Sequence, residues 1–361
     1  MDIRSLIKIA GLTSISLGSA IFTSHTLANV NADTNSEDRF WIDRTYQNLS
    51  KVNNFQASTK LTLSNSAAPM VTELTFKQPD NFYQVVTQPE TVKGYEASYS
   101  NQTIILHDRP NKRALQIKGL KRNKDKSGLS RIKGIYLFNK EHYEQTFTPS
   151  IHVADRLSVG IDFDAKDKGF EIKKIEGFAD YHYSLFMQAN FIFNSGIEAQ
   201  VKNTHVEFNK EKLTLPTISV KKIQAQKDTQ IISWNLSKKG LSQKKAEEKI
   251  SQDIVWPEDK KNTWDFSEHK YYQQNGSKNA AAYYHSDEFF LITTTEPSPQ
   301  NKLASTAVGI PLMLEETHAR LNQFPAFSSL EFSHNGIHYT LLTNTHPESL
   351  ITMAKDMVIK Q

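Results

Sequence analysis

The sequence predicts a mainly β protein in two parts, an antiparallel β domain followed by a smaller C-terminal α+β domain. Three observations carry this. From Phe55 onward apolar residues recur at every second position in short runs, and turn residues break those runs at intervals of about ten residues, the pattern of antiparallel strands. From Ser237 to Asp253 lysine and glutamate displace the apolar residues, which marks a boundary. Beyond it strands resume and the chain closes on a helical pattern. No βαβ rhythm occurs, so a parallel nucleotide-binding sheet is excluded.

The chain opens on export grammar. Arg4 and Lys8 form a basic n-region, Ile9 to Phe22 is a mostly apolar stretch, and Thr26-Leu27-Ala28 is a small-x-small cleavage signature, with Val30-Asn31-Ala32 as a second site. Residues 1–28 therefore read as a secretory signal peptide. A membrane anchor is the alternative, but a spanning helix needs ~20 apolar residues and this run is shorter and rich in Ser, Thr and Gly. The expected location is the periplasm. The 361 residues contain no cysteine, which excludes a lipid-modified N-terminal cysteine and any disulfide. Stability must come from packing and sheet pairing. Aromatic residues make up 10% of the chain, enough to build a core, and a net charge of +4 is too small to imply a nucleic-acid partner.

The elements follow in order. Trp41, Ile42, Tyr46, Leu49 and Val52 fall at helical spacing behind Glu37 and Asp38, which predicts an amphipathic helix over Asp38–Val52. Period two then begins. Phe55, Ala57, Leu61 and Leu63 share one parity, and Met70, Leu74 and Phe76 share one face of the next run. Further strands are expected at 82–87, 95–99, 103–107, 113–117, 158–163, 170–175, 181–193, 197–208 and 230–236. Ser64-Asn65-Ser66, Gln78-Pro79-Asp80-Asn81, Ser100-Asn101 and Asn194-Ser195-Gly196 supply turns. In the second part, strands are expected at 280–284, 288–295, 329–334 and 337–342, with Asn335-Gly336 as a two-residue hairpin loop. Pro311 to Asn322 reads as a helix with proline at its first position. Pro347 opens a last helix carrying Leu350, Ile351, Ala354, Met357 and Val358 on one side. The expected organisation is a signal peptide at 1–28, a first domain at 33–236, a charged linker at 237–260 and a C-terminal domain at 261–361.

Several segments resemble a known family. In the first domain they are Phe55-x-Ala57-Ser58, Phe76-Lys77-Gln78-Pro79-Asp80-Asn81-Phe82, Gly94-Tyr95-Glu96-Ala97-Ser98-Tyr99 and Thr103-Ile104-Ile105-Leu106-His107. In the second they are Tyr284-His285-Ser286-Asp287-Glu288-Phe289-Phe290, Gly336-Ile337-His338-Tyr339-Thr340-Leu341-Leu342 and Pro347-Glu348-Ser349-Leu350-Ile351-x-x-Ala354. With the order of elements, these resemble the periplasmic lipoprotein-carrier superfamily of the LolA/LolB type, and more closely its sigma-E regulatory branch, the RseB/MucB type. The chain departs from that pattern in two places. Ser100-Asn101 stands where the early hairpin usually turns at Asp-Gly, and Trp256-Pro257-Glu258-Asp259 replaces the Pro-x-Gly-Phe segment that opens the second domain. The resemblance implies an N-terminal antiparallel half-barrel covered by helices, with a concave apolar face that takes acyl chains or is adapted to recognise protein segments.

The candidate ligand-cavity residues are Phe55, Leu61, Leu63, Met70, Leu74 and Phe76. Ordinary core packing is the other reading of each, and sequence leaves open which parity faces inward, because a one-residue slip reverses every side chain. The segment from Lys112 to Lys133 also holds Arg113, Lys118, Lys121, Arg122, Lys124, Lys126 and Arg131 against one acid, Asp125. It reads either as a solvated loop or as a docking element for an acidic partner or anionic head groups, with Lys121, Arg122, Lys124 and Lys126 as the docking candidates. No catalytic constellation, cofactor motif or metal-ligand set stands out. His334 and His338 lie across a hairpin and lack the glutamate of a metalloprotease motif. The pairs Asp180-x-His182 and His285-x-Asp287 have no nucleophile to serve, and they carry the hydrolase alternative alone.

The expectation is a non-enzymatic periplasmic binding protein of the envelope-stress pathway, implied by the family resemblance. It would sense lipid or lipoprotein and bind the periplasmic domain of an anti-sigma factor, with peripheral membrane contact allowed by the basic segment. The alternative is a soluble periplasmic lipid or lipoprotein carrier. The basic segment gives a direct test. Changing Lys121, Arg122, Lys124 and Lys126 together to Gln is expected to slow association with anionic vesicles or an acidic partner more than it speeds dissociation, and to leave the melting temperature unchanged. Wild-type association should fall steeply with salt, measured by stopped-flow between low and physiological ionic strength.

Overall fold

Short turns between alternating apolar runs force neighbours in sequence to pair antiparallel, and two sheets result. The computed structural model describes residues 51–66, 68–120, 141–183, 185–226, 228–242, 254–257, 268–273, 279–285, 290–297 and 308–359. The signal peptide, the helix expected from Asp38, the docking candidates Lys121, Arg122, Lys124 and Lys126, most of the charged linker and Asp287 lie outside the described residues.

The first sheet has twelve strands: β1 (Asn54–Leu63), β2 (Met70–Lys77), β3 (Asn81–Gln88), β4 (Tyr95–Ser100), β5 (Thr103–Asp108), β6 (Arg113–Lys118), β7 (Tyr143–Val153), β8 (Arg156–Ala165), β9 (Ile172–Asp180), β10 (Phe186–Phe193), β11 (Glu198–Phe208) and β12 (Gln230–Asn235). Their order is β12-β6-β5-β4-β3-β2-β1-β11-β10-β9-β8-β7. The sheet is open, with β12 and β7 at its edges, and does not close into a barrel. Two meanders meet where β1 pairs with β11. The last strand differs. After β11 the chain crosses to the far edge through the short helix α1 (Val220–Gln224), capped by the Ser219 side chain, and β12 pairs with β6 in parallel. Periodicity cannot reveal a parallel partner, and β7 lies outside the strands expected from sequence.

The second sheet has seven strands: β13 (Glu268–Gln273), β14 (Ala280–His285), β15 (Phe290–Pro297), β16 (Ile310–Leu314), β17 (Thr317–Gln323), β18 (Ser328–His334) and β19 (Ile337–Thr343). They run in the order β13-β14-β15-β19-β18-β17-β16, and helix α2 (Pro347–Ile359) follows. Asn335 and Gly336 both take positive φ, 48° and 74°, the two-residue turn expected between β18 and β19.

Two local expectations are corrected. The β4–β5 turn is Asn101-Gln102 rather than Ser100-Asn101, because Ser100 pairs with Thr103 and the two loop residues take φ of 48° and 59°. Residues 311–322 form the β16–β17 hairpin rather than a helix. The side chains alternate: Ile310, Leu312 and Leu314 are buried on one strand, Ala319 and Leu321 on the other. Good helix formers were overridden by tertiary pairing, and Pro311 is tolerated because β16 is an edge strand.

The cross-strand register shows which face of the large sheet is inward. Phe55, Ala57 and Leu61 of β1 stand opposite Phe76, Leu74 and Met70 of β2, and Phe76 stands opposite Phe82 of β3. The second sheet lies against this face. Phe82 packs on Phe324 and Phe327 of the β17–β18 turn, with ring centroids 5.9 and 5.8 Å apart, and residues of both sheets share one buried cluster. Helix α2 packs on the second sheet. Parts of the expected linker dock there too. The backbone of Leu241 bridges Tyr271, and Trp256 meets the Tyr271 ring edge-on at 5.3 Å.

Glu348, in the first turn of α2, ties the helix to the large sheet. Its two carboxylate oxygens accept hydrogen bonds from the N–H groups of Glu171 and Ile172, each at 2.8 Å, while Lys355 reaches Glu171 at 3.0 Å. Burial pushes the Glu348 carboxyl up to about 7, against the pull of the two N–H donors and Lys355. A carboxyl raised on folding binds its proton more tightly in the native state. Its stabilising contribution is therefore complete below the ordinary carboxylate range and is lost as pH rises through about 7. Glu348→Gln is expected to cost about 1–3 kcal/mol at pH 5, because one N–H loses its acceptor. That cost should shrink by roughly 2–3 kcal/mol on going to pH 8, read from urea unfolding of both proteins across the range.

Candidate functional site

The two sheets do not meet everywhere. At the end of the interface where β1 turns into β2 they leave a cavity of about 770 Å³, within the range of pockets that bury one drug-sized ligand. Leu61, Leu63 and Met70 form its wall on the large sheet. The β16–β17 hairpin forms the opposite wall with Pro311, Met313 and Arg320, and the β3–β4 connection adds Pro89 and Val92. Gly309 closes one corner, with φ of 101°. A Cβ there would stand 2.6 Å from the Leu321 carbonyl oxygen and 2.5 Å from Asn322 Oδ1, so only glycine lets the chain pass so close.

The residues named from sequence divide into two groups. All lie on the inward face. Leu61, Leu63 and Met70 line the cavity. Leu74 is fully buried in the core, and Phe55 and Phe76 lie toward the other end of the strands. There Phe55 stacks on Phe76 at 5.1 Å and contacts Phe208 at 6.0 Å, Tyr183 stacks on Phe208 at 4.3 Å, and the Arg156 guanidinium lies over the Phe208 and Tyr183 rings. That end is closed by aromatic packing. Sequence reasoning missed the whole second wall, because the β16–β17 hairpin read as a helix. The two-residue alternation of Ile310, Leu312 and Leu314 was the available signal.

A small second cavity of about 40 Å³ marks a polar seam between the sheets. Arg113 forms an ion pair with Glu296 of β15 here, so this arginine belongs to the sheet interface rather than to a solvated basic loop. Tyr95, Asp108 and Glu331 line the same space. Burial raises the Asp108 carboxyl and the Tyr95 hydroxyl. The seam has room for little more than water and holds the sheets in register.

Asp180 and His338 make structural contacts. Asp180 accepts hydrogen bonds from the backbone N–H groups of His182 and Tyr183 at 3.0 and 2.7 Å, and its carboxylate pairs with Arg156 Nε at 2.5 Å. His338 is buried, with Nδ1 3.0 Å from the Ser333 hydroxyl and Nε2 3.5 Å from Glu331. Among the described residues no group of three or more His, Asp or Glu is placed to hold a metal ion, and no helix is long and apolar enough to cross a membrane.

No protein-family model matches the chain, and no curated protein matches it. Among solved structures, similar chains are found. The chain is similar to a structure of the Pseudomonas aeruginosa MucA/MucB complex, with 12% identity over 88% of this chain and 97% of that one and a TM-score of 0.42. It is similar to the lipoprotein LppX of Mycobacterium tuberculosis, with 10% identity over 48% of this chain and 96% of that one and a TM-score of 0.32. It is also similar to a putative outer membrane lipoprotein-sorting protein domain from Vibrio parahaemolyticus, with 11% identity over 52% of this chain and 97% of that one and a TM-score of 0.27.

The division of the inward face is testable by stability. Phe55→Ala should cost about 3–5 kcal/mol, since it empties a closed aromatic cluster. Leu63→Ala, beside space that already exists, should cost under about 1 kcal/mol. Urea unfolding with an unchanged m-value checks both.

Proposed function

We propose that this protein is a non-enzymatic periplasmic binding protein that takes an acyl lipid or lipoprotein-derived chain between its two sheets, and that this occupancy regulates its hold on the periplasmic domain of an anti-sigma factor. The observation that carries the reading is the composition of the cavity, with one wall from each sheet. A ligand there touches both sheets at once, so its affinity depends on how they sit together. A ligand that distinguishes two arrangements shifts the population between them. A partner that grips both sheets senses the same shift, and by linkage each binding event weakens the other. A carrier needs only a pocket in one sheet, so the two-sheet cavity favours the regulator over the carrier. The leader-like first residues support export, and the sequence resemblance to the RseB/MucB type supports the choice of partner.

Two measurements test this. Native mass spectrometry of the protein purified from its own periplasm is expected to show a sub-stoichiometric acyl ligand that is absent when the partner is bound. A stable complex holding ligand and partner together would refute the regulatory reading, and full occupancy by lipid with no partner recovered in a periplasmic pulldown would favour the carrier. Cavity filling by Met70→Trp should abolish ligand binding and leave partner binding intact, with release by added lipid lost.

A further inference from the structure

We propose that Arg320 makes the inter-sheet cavity selective for an anionic amphiphile, whose single acyl chain lies against Leu61, Leu63 and Met70 and whose carboxylate or phosphate head sits on the guanidinium. The inference rests on the ligand-binding reading above and names the chemical class that reading leaves open.

Arg320 is half-buried and lines the cavity from β17, across from the apolar wall of β1 and β2. Its one hydrogen bond among the described residues is long, Nη1 to the Gly309 carbonyl oxygen at 3.5 Å. No carboxylate among those residues lies within ion-pair distance of it. The natural partner would be Glu331, which stands directly opposite on β18. An acid in that cross-strand position ordinarily pairs with its neighbour. Glu331 is instead turned to His338 Nε2, 3.5 Å away, and to the polar seam. Burial alone lowers the guanidinium's pKa, with no acid acting against it. A cation partly stripped of water and left without a counter-charge is costly, and the cost is relieved when an anion enters. The guanidinium fork suits a two-oxygen head group such as a carboxylate or phosphate. An apolar wall facing an unpaired cation is the chemistry of an anionic amphiphile.

The test uses the purified protein with the neutral fluorescent probe N-phenyl-1-naphthylamine in the cavity, displaced by oleate, by oleoyl-lysophosphatidylglycerol and by oleyl alcohol. An anionic competitor is expected to displace the probe at about tenfold lower concentration than the alcohol. Arg320→Gln should erase that advantage while leaving probe and alcohol binding unchanged, and Arg320→Lys should keep part of it. Preference for oleate alone identifies a carboxylate source, preference for the lysolipid alone a phosphate head group, and either supports the inference. If probe binding is blocked by Met70→Trp yet charged and neutral competitors act equally on the wild type, Arg320 does not select and the cavity reading stands. If the probe does not bind, or binds with Met70→Trp unchanged, both readings fall. Thermal melts of each variant show that it is folded.

Discussion

The second sheet packed on the inward face of the first is the contact on which the rest of the molecule depends. A sheet of twelve strands with one apolar face has nothing to bury that face against unless another layer covers it. With no cysteine, no cross-link can stand in for that layer. Phe82 sits at the centre of the contact, held on one side by its own sheet and on the other by Phe324 and Phe327. Aromatic rings at this junction bury a large area per residue and prefer offset geometry, so they set the distance between the layers as well as contributing affinity. Helix α2 packs on the second sheet, and Glu348 and Lys355 tie that helix to the start of β9. The helix thereby contacts both layers.

The interface has three zones, and each reflects a different balance of forces. The aromatic zone is closed and apolar. The polar seam around Arg113 and Glu296 buries charge, which gains little net stability but penalises any slip that would separate the pair. The third zone is where side chains from the two layers do not reach each other. Leu61, Leu63 and Met70 on one side and Pro311, Met313 and Arg320 on the other leave a gap there. The concavity of about 770 Å³ left there opens to solvent and is large enough for one small ligand. Its position between layers links occupancy to the relation of the layers, which is why binding and regulation are the same physical event in the proposal.

Sequence alone determined the mainly β class, most strands of both sheets, the Asn335-Gly336 hairpin and the final helix, because period-two burial and turn chemistry are local and written into neighbouring residues. It placed Phe55, Leu61 and Leu63 on one face of β1 and Met70, Leu74 and Phe76 on one face of β2, because side chains alternate along a strand. Only the tertiary structure decided that these faces point inward, that Leu61, Leu63 and Met70 border open space while Phe55 and Phe76 close an aromatic cluster, and that β12 adds in parallel at the far edge. The same holds for the hairpin at 310–323, whose helix-forming residues were overruled by pairing with β18, and for Arg320, which has no counter-charge among the described residues because Glu331 turns to His338. Cavities and unpaired charges arise from residues far apart in the chain, and no periodicity along one strand records the distance to a second sheet.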